Sequence, residues 1–265
     1  MTKTLVLAHG ILGFDKIDFF GVEIANYFNG VKEAINPAYI RVITPKVKPT
    51  ANVQTRAQEL NEQMPDGNED IFIIAHSMGG LDARLALHEN KALRSRVKAL
   101  VTLGTPHEGS KVADNVTLDN KLINKIYKNW LPAGFQGVLD LRTDAGEDFN
   151  NIVKEKYAEK IEFFTIAGVA SEESENILLP FKAASYIGGF SNEPNDGVVT
   201  KESATARPSP WKNLEDWPVD HAGLIGWFKP TASPQQFKDH IDRYIKLISE
   251  ITNVDAVDVR KPQAA

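Results

Sequence analysis

The chain has 265 residues, 42% hydrophobic and 25% charged, the balance of a globular protein near the upper size of a single core, so one domain with an insertion is expected. A net charge of -5 with no basic cluster argues against nucleic acid or an anionic membrane surface as the main partner. The absence of cysteine excludes disulfides, thiolate zinc sites and a cysteine nucleophile.

The first strand is expected at residues 4–8, followed by His9, Gly10 and Ile11. Glycine directly after a buried strand marks a loop that turns sharply and leaves N–H groups free. Residues 1–9 contain no apolar run of signal-peptide length, and nowhere is there a stretch long enough to span a bilayer. The expectation is a chain without a classical export signal, cytoplasmic or released by a leaderless route. Phe20, Ile24, Phe28 and Val31 share a helical face over residues 19–34, broken or frayed at Gly30. A strand follows at 39–44. Val53, Ala57, Leu60 and Met64 then recur at helical spacing until Pro65 and Gly67 stop the helix.

Residues 71–76 are an unbroken apolar run with β-branched residues, the pattern of a strand buried on both faces, and from Leu81 the spacing becomes helical. Between the two stands Ser77, with the small residues Ala75 and Gly79 two positions to either side. A strand-to-helix turn this tight pushes a hydroxyl out at the end of a parallel sheet, next to the positive end of a helix. The alternation continues through a strand at 98–103, which predicts a parallel sheet covered by helices on both faces.

Ala75-His76-Ser77-Met78-Gly79 resembles the nucleophile elbow of bacterial lipases of the α/β-hydrolase fold, in the variant with Ala for the first Gly. The segment from Gly104 to Ser110 resembles the Thr-Pro-His-x-Gly stretch of the same lipases. Leu141, Thr143, Phe149 and Asn150 match a Leu-x-Thr-x-x-x-x-x-Phe-Asn segment of the Proteus and Pseudomonas types. The resemblance implies a shortened, mostly parallel sheet of about six strands lacking the first hairpin of larger members. It also implies two oxyanion-hole amides, from Ile11 in the His-Gly loop and from Met78 after the serine.

From Lys111 the alternation lapses. Val116, Leu122, Ile123, Ile126, Tyr127 and Trp130 lie on an amphipathic stretch, and a lid or cap is expected over roughly 108–157, either closing over the serine and opening at a lipid–water interface or forming a fixed part of the core. A further strand is expected at 161–167. At the end of the chain Ser233, Pro234 and Gln236 form a capping box, and Phe237, Ile241, Ile245 and Ile248 are expected to be the buried stripe of a closing helix. Residues 253–265 read as a loose tail.

A serine needs an adjacent base held in one tautomer by a buried acid. His76 is adjacent to Ser77 in the turn and points away from its hydroxyl, His9 belongs to the oxyanion loop, and His88 is three turns down the helix. His107 has a structural place in its loop, and His240, between Asp239 and Ile241, is expected at a solvated edge. This leaves His221, ahead of the last helix, in the position the fold gives its base, since the chain order is serine, acid, histidine. Asp196, in Asn195-Asp196-Gly197-Val198-Val199, matches the Asn-Asp-Gly-apolar-Val sequence that carries the catalytic aspartate in the lipases it resembles. Asp216 and Asp220 are close enough to His221 in sequence to cap or pair locally instead.

Many Pseudomonas-type relatives hold calcium through an aspartate two residues after the base, where this chain has Gly223. Glu173 or Glu175 could stand in upstream, but a site missing the carboxylate of its better-defined half would bind weakly, so no required metal and no cofactor are expected. The expectation is a single α/β-hydrolase domain, monomeric, acting on ester or lipid substrates through Ser77, Asp196 and His221. A soluble-ester esterase, a thioesterase or polyester depolymerase with the same machinery, and a catalytically silent binding protein of the same fold are the alternatives.

Overall fold

The computed structural model describes residues 3–11, 27–115, 136–155, 160–170, 178–207 and 210–262. The amphipathic stretch expected at 116–130, the first half of the helix expected over 19–34, and Glu173 and Glu175 lie outside the described residues.

Six strands make one sheet, parallel at every pairing, in the order β2-β1-β3-β4-β5-β6. They are β1 (Lys3–Ala8), β2 (Ile40–Ile43), β3 (Asp70–His76), β4 (Val97–Leu103), β5 (Glu162–Ile166) and β6 (Lys212–Asn213). The helices in chain order are α1 (Val31–Ala34), α2 (Val53–Glu62), α3 (Met78–Glu89), α4 (Lys91–Arg96), α5 (Lys111–Asp114), α6 (Gln136–Leu139), α7 (Thr143–Ile152), α8 (Leu179–Ile187), α9 (Lys201–Thr205), α10 (Pro234–Thr252) and α11 (Ala256–Val259). The parallel sheet expected from the alternation, with the six strands and α/β-hydrolase form that the resemblance implies, is what the chain forms, and the serine strand β3 is third of six.

Successive strand residues face opposite sides, so the sheet divides its side chains between two cores. Val6, Ala8, Ile71, Ile73 and Ala75 face α2 and α3, meeting Ala57, Leu60, Leu81 and Leu85. Leu5, Leu7, Phe72 and Ile74 face α10, meeting Tyr244, Ile245 and Ile248. This double burial is why β3 is apolar from Ile71 to Ala75. Arg56, on α2, is buried with Asp82 of α3, 2.7 Å between guanidinium and carboxylate. The same guanidinium donates to the main-chain oxygens of Lys48 and His9, so it ties α2 and α3 to the loop after β1.

The break expected at Gly30 is present: Gly30, at φ 73°, is the N-cap of the four-residue α1. Three expectations are corrected. On α10 the capping box of Ser233 and Gln236 is present and Ile245 and Ile248 are buried as expected, but the stripe also takes in His240, Tyr244 and Ile251, while Ile241 is only partly buried and Phe237 is 42% exposed. His240 is therefore wholly buried rather than solvated, against Phe228 and Tyr244, with Nε2–H donating to the carbonyl of Asn29. The third concerns the stretch read as loose from residue 253, which folds into α11, buries Val259, and places Arg260 in an antiparallel bridge with Ile35.

Candidate active site

The elbow is built by backbone. Ser77 has φ 55° and ψ -131°, a conformation costly for a residue with a Cβ, and three hydrogen bonds hold it there. Its N–H donates to Leu103 O at 2.9 Å, and its carbonyl accepts from Gly80 N–H at 3.0 Å and from the Thr105 hydroxyl at 2.9 Å. Gly79 lets α3 pass the end of β1, since a methyl there would lie 2.6 Å from His9 O and 2.7 Å from Ala8 O. Ala75 pairs with Ala8 across the same crowded junction, which explains why small residues flank the serine.

Asp196 and His221 come together from loops beyond β5 and β6. His221 Nδ1–H donates to Asp196 Oδ2 at 2.7 Å, with Asp196 1% and His221 8% exposed. The other carboxylate oxygen, Oδ1, accepts from the amides of Val198 at 2.9 Å and Val199 at 2.7 Å, while Asn195 Oδ1 accepts from Gly197 N–H. A second link, His221 N–H to Asp196 O at 2.8 Å, ties the two loops at the backbone. With Nδ1 donating, the neutral ring presents Nε2 as an acceptor. Gly104, at φ 54°, leaves room for this pair. A Cβ there would sit 2.8 Å from Asp196 Oδ2 and 3.3 Å from His221 Nδ1.

Ser77 lies one residue from His76, whose ring centroid is 4.5 Å from that of His221. Among the described residues no hydrogen bond joins the Ser77 hydroxyl to the His221 ring; in free enzymes such a contact is commonly long and tightens when substrate binds. Met78 opens α3 directly after the serine, and Ile11 lies at the turn after β1. The side chains of both residues approach the Cβ position of Gly137 on α6, each to 3.3 Å, so the two positions border one another.

The rival residues have other partners. Asp216 pairs with Lys201 at 2.5 Å, and Asp220 accepts from Leu178 N–H and Gly223 N–H. His107 is buried, accepts at Nδ1 from Arg84, and hydrogen-bonds Thr102 through Nε2. His9 donates from Nδ1 to Gly10 O and accepts at Nε2 from Val47 N–H. Near the base Gly223 offers no carboxylate and each Asp220 oxygen accepts one backbone amide, while Glu173 and Glu175, named for the other half of a calcium site, lie outside the described residues. Tyr27 is a site-building residue that the sequence did not disclose, since no local pattern marks a side chain that supports from behind; Gly104 and Thr105 lie in the segment singled out by resemblance, which did not give their roles.

The match with known proteins follows this geometry. Residues 18–173 match the family described as the PGAP1-like alpha/beta domain. The chain belongs to that family. It is a lipase-like member of the α/β-hydrolase superfamily. It is 27% identical to triacylglycerol lipase 2 of Saccharomyces cerevisiae over 85% of this chain and 73% of that protein. It is 30% identical to a triacylglycerol lipase of Pseudomonas fragi over 43% of this chain and 38% of that protein. In fold it is similar to the Bacillus licheniformis lipase BlEst2, with TM-score 0.69 and 22% identity over 92% of this chain and 91% of that one. The Staphylococcus hyicus lipase gives TM-score 0.69 and 18% identity over 95% of each chain. By homology the protein is a lipase- or esterase-like hydrolase. No helix among the described residues is long and apolar enough to cross a membrane.

This hydrolase keeps four buried histidines neutral. Burial lowers the pKa of His9 to about 3, aided by Arg56, and that of His240 to about 4, aided by Arg243. Burial also drives His76 and His107 well below 6.5, with further repulsion from His221 and Arg84 respectively. All four are depressed on folding, so the unfolded chain binds more protons and stability falls as pH drops below about 6.5. Asp82 and Asp220, which burial pushes up to about 6, act in the opposite direction between about pH 4 and 6, and are outnumbered. The melting temperature should therefore decline steadily from pH 7.5 to 5; calorimetry giving a flat or rising profile would contradict the neutral buried histidines.

Proposed function

We propose that the protein hydrolyses carboxylic esters through an acyl-enzyme, with acylglycerols as the substrate class. The observation that carries the reading is the buried 2.7 Å bond from His221 Nδ1–H to Asp196 Oδ2, which leaves Nε2 as an acceptor; the serine on a strained elbow supports it. Ser77 Oγ attacks the ester carbonyl while His221 Nε2 takes its proton. Asp196 holds the ring and stabilises the imidazolium. The amides of Ile11 and Met78 donate to the oxyanion, each worth on the order of a hundredfold or more in rate. Collapse of the tetrahedral intermediate expels the alcohol, which takes the proton from His221, and water repeats the cycle on the acyl-enzyme.

The acylglycerol class is supported by the names of the two curated relatives. The lid expected over 108–157 belongs to the same proposal. Its flanks meet at Ser110 N–H to Leu141 O, 2.7 Å, and at Thr143 N–H to an Asp114 carboxylate oxygen, 2.8 Å.

A fluorophosphonate probe should label one serine per chain, at Ser77, and hydrolysis of esters of rising acyl length should accelerate beyond their solubility limit. A wild-type protein that takes no label sinks the hydrolase reading; labelling with rates confined to dissolved short esters makes it an esterase on soluble substrates.

A further inference from the structure

Behind the nucleophile a continuous hydrogen-bond chain joins the two loops that flank it. Gly10 N–H donates to Tyr27 Oη at 3.0 Å, Tyr27 Oη lies 2.7 Å from His76 Nδ1, and His76 Nε2 lies 3.0 Å from the main-chain oxygen of His221. The proton positions follow from the ends. An amide can only donate and a carbonyl can only accept, so the tyrosine proton goes to Nδ1 and the imidazole carries its own on Nε2. Burial keeps His76 neutral, and with Nε2–H given to the carbonyl, Nδ1 is the acceptor of the tyrosine proton. His76 is 2% exposed, in a site where an unmade hydrogen bond would be costly.

We propose that Tyr27 and His76 are positioning residues that hold the oxyanion loop and the base loop in one mutual geometry. Gly10 is one residue before Ile11, the proposed hole donor, and the His221 carbonyl belongs to the proposed base itself. The chain thus crosses beneath Ser77 from one half of the machinery to the other, and the His76 ring also packs 4.5 Å from the His221 ring. Tyr27 touches neither Ser77 nor substrate in this scheme. Its effect is to fix where the Ile11 amide and the His221 ring stand when the oxyanion forms. Misplacement of such groups by about 1 Å costs on the order of a hundredfold in rate. The inference rests on the ester-hydrolase reading, and its test separates the two.

The test is Tyr27→Phe, which removes one oxygen and keeps the ring. Active sites are counted first with a fluorophosphonate, and kcat, KM and the inhibition constant of a trifluoromethyl ketone are then measured per active site on a dissolved p-nitrophenyl ester. The expected result is an unchanged site count, a KM within about twofold, and a roughly 10- to 100-fold fall in kcat, matched by an equal loss of ketone affinity. His76→Gln, whose amide both accepts and donates, should keep more activity than His76→Leu, which does neither. Values of kcat and ketone affinity within twofold of wild type, or a loss explained wholly by fewer labelled sites, would overturn the positioning role. Failure of the wild-type protein to label at all would overturn the hydrolase reading and this inference with it.

Discussion

Ser77→Ala should lower kcat for ester hydrolysis by about a millionfold while leaving the melting temperature nearly unchanged. The size follows from the arrangement: without the hydroxyl, His221 and Asp196 have nothing to activate, and only the oxyanion donors and substrate binding continue to act. The stability forecast follows from the backbone. The bonds that hold the elbow use the Ser77 N–H and carbonyl, and alanine retains both, together with the Cβ at the same φ of 55°. Activity on a p-nitrophenyl ester and a thermal melt of one preparation check both halves. Appreciable turnover by a folded Ser77→Ala protein would mean that another group is the nucleophile.

Asp196→Asn should cost about 10⁴-fold in kcat with the fold intact. Oδ1 of Asp196 accepts two backbone amides, from Val198 and Val199, so the asparagine oxygen is kept at that position and its NH₂ replaces Oδ2. That NH₂ then faces His221 Nδ1, where the aspartate had accepted a proton. Two donors cannot share the contact, so the neutral ring moves its proton to Nε2 and turns a donor toward Ser77. A serine needing a base then meets a group that cannot accept. Steady-state kinetics with ¹⁵N NMR of the imidazole tests this, and a variant with near wild-type kcat or an unchanged tautomer would show that Asp196 is not the orienting acid.

The parts of this architecture legible in the sequence are those with a local physical signature. β3 is apolar because both its faces are buried, and the small residues around Ser77 stand where α3 crosses β1. Asp196 and His221 follow from chain order and from the resemblance around Asn195, and the structure joins them by a short buried bond. Ile11 and Met78 were reached through resemblance, because any residue supplies an amide. Other features leave little local trace. β6 is two residues long, and pairing alone makes it a strand. His240 looked solvated between Asp239 and Ile241, yet α10 turns that position inward and Gly226, in a left-handed turn, lies against its ring. Tyr27 reads as one more aromatic near a helix start, and only the fold brings its hydroxyl to His76 across 49 positions of chain.

The backbone at Ser77 also bears on how such a protein tolerates change. Glycine adopts a φ of 55° without penalty, so replacing the serine with glycine would relax the most contorted residue of the sheet's central crossing. Selection for robustness alone would favour that exchange and silence the enzyme. On the proposed mechanism, a serine rather than a glycine at this position is a trade in which the folded state gives up some margin to hold the nucleophile.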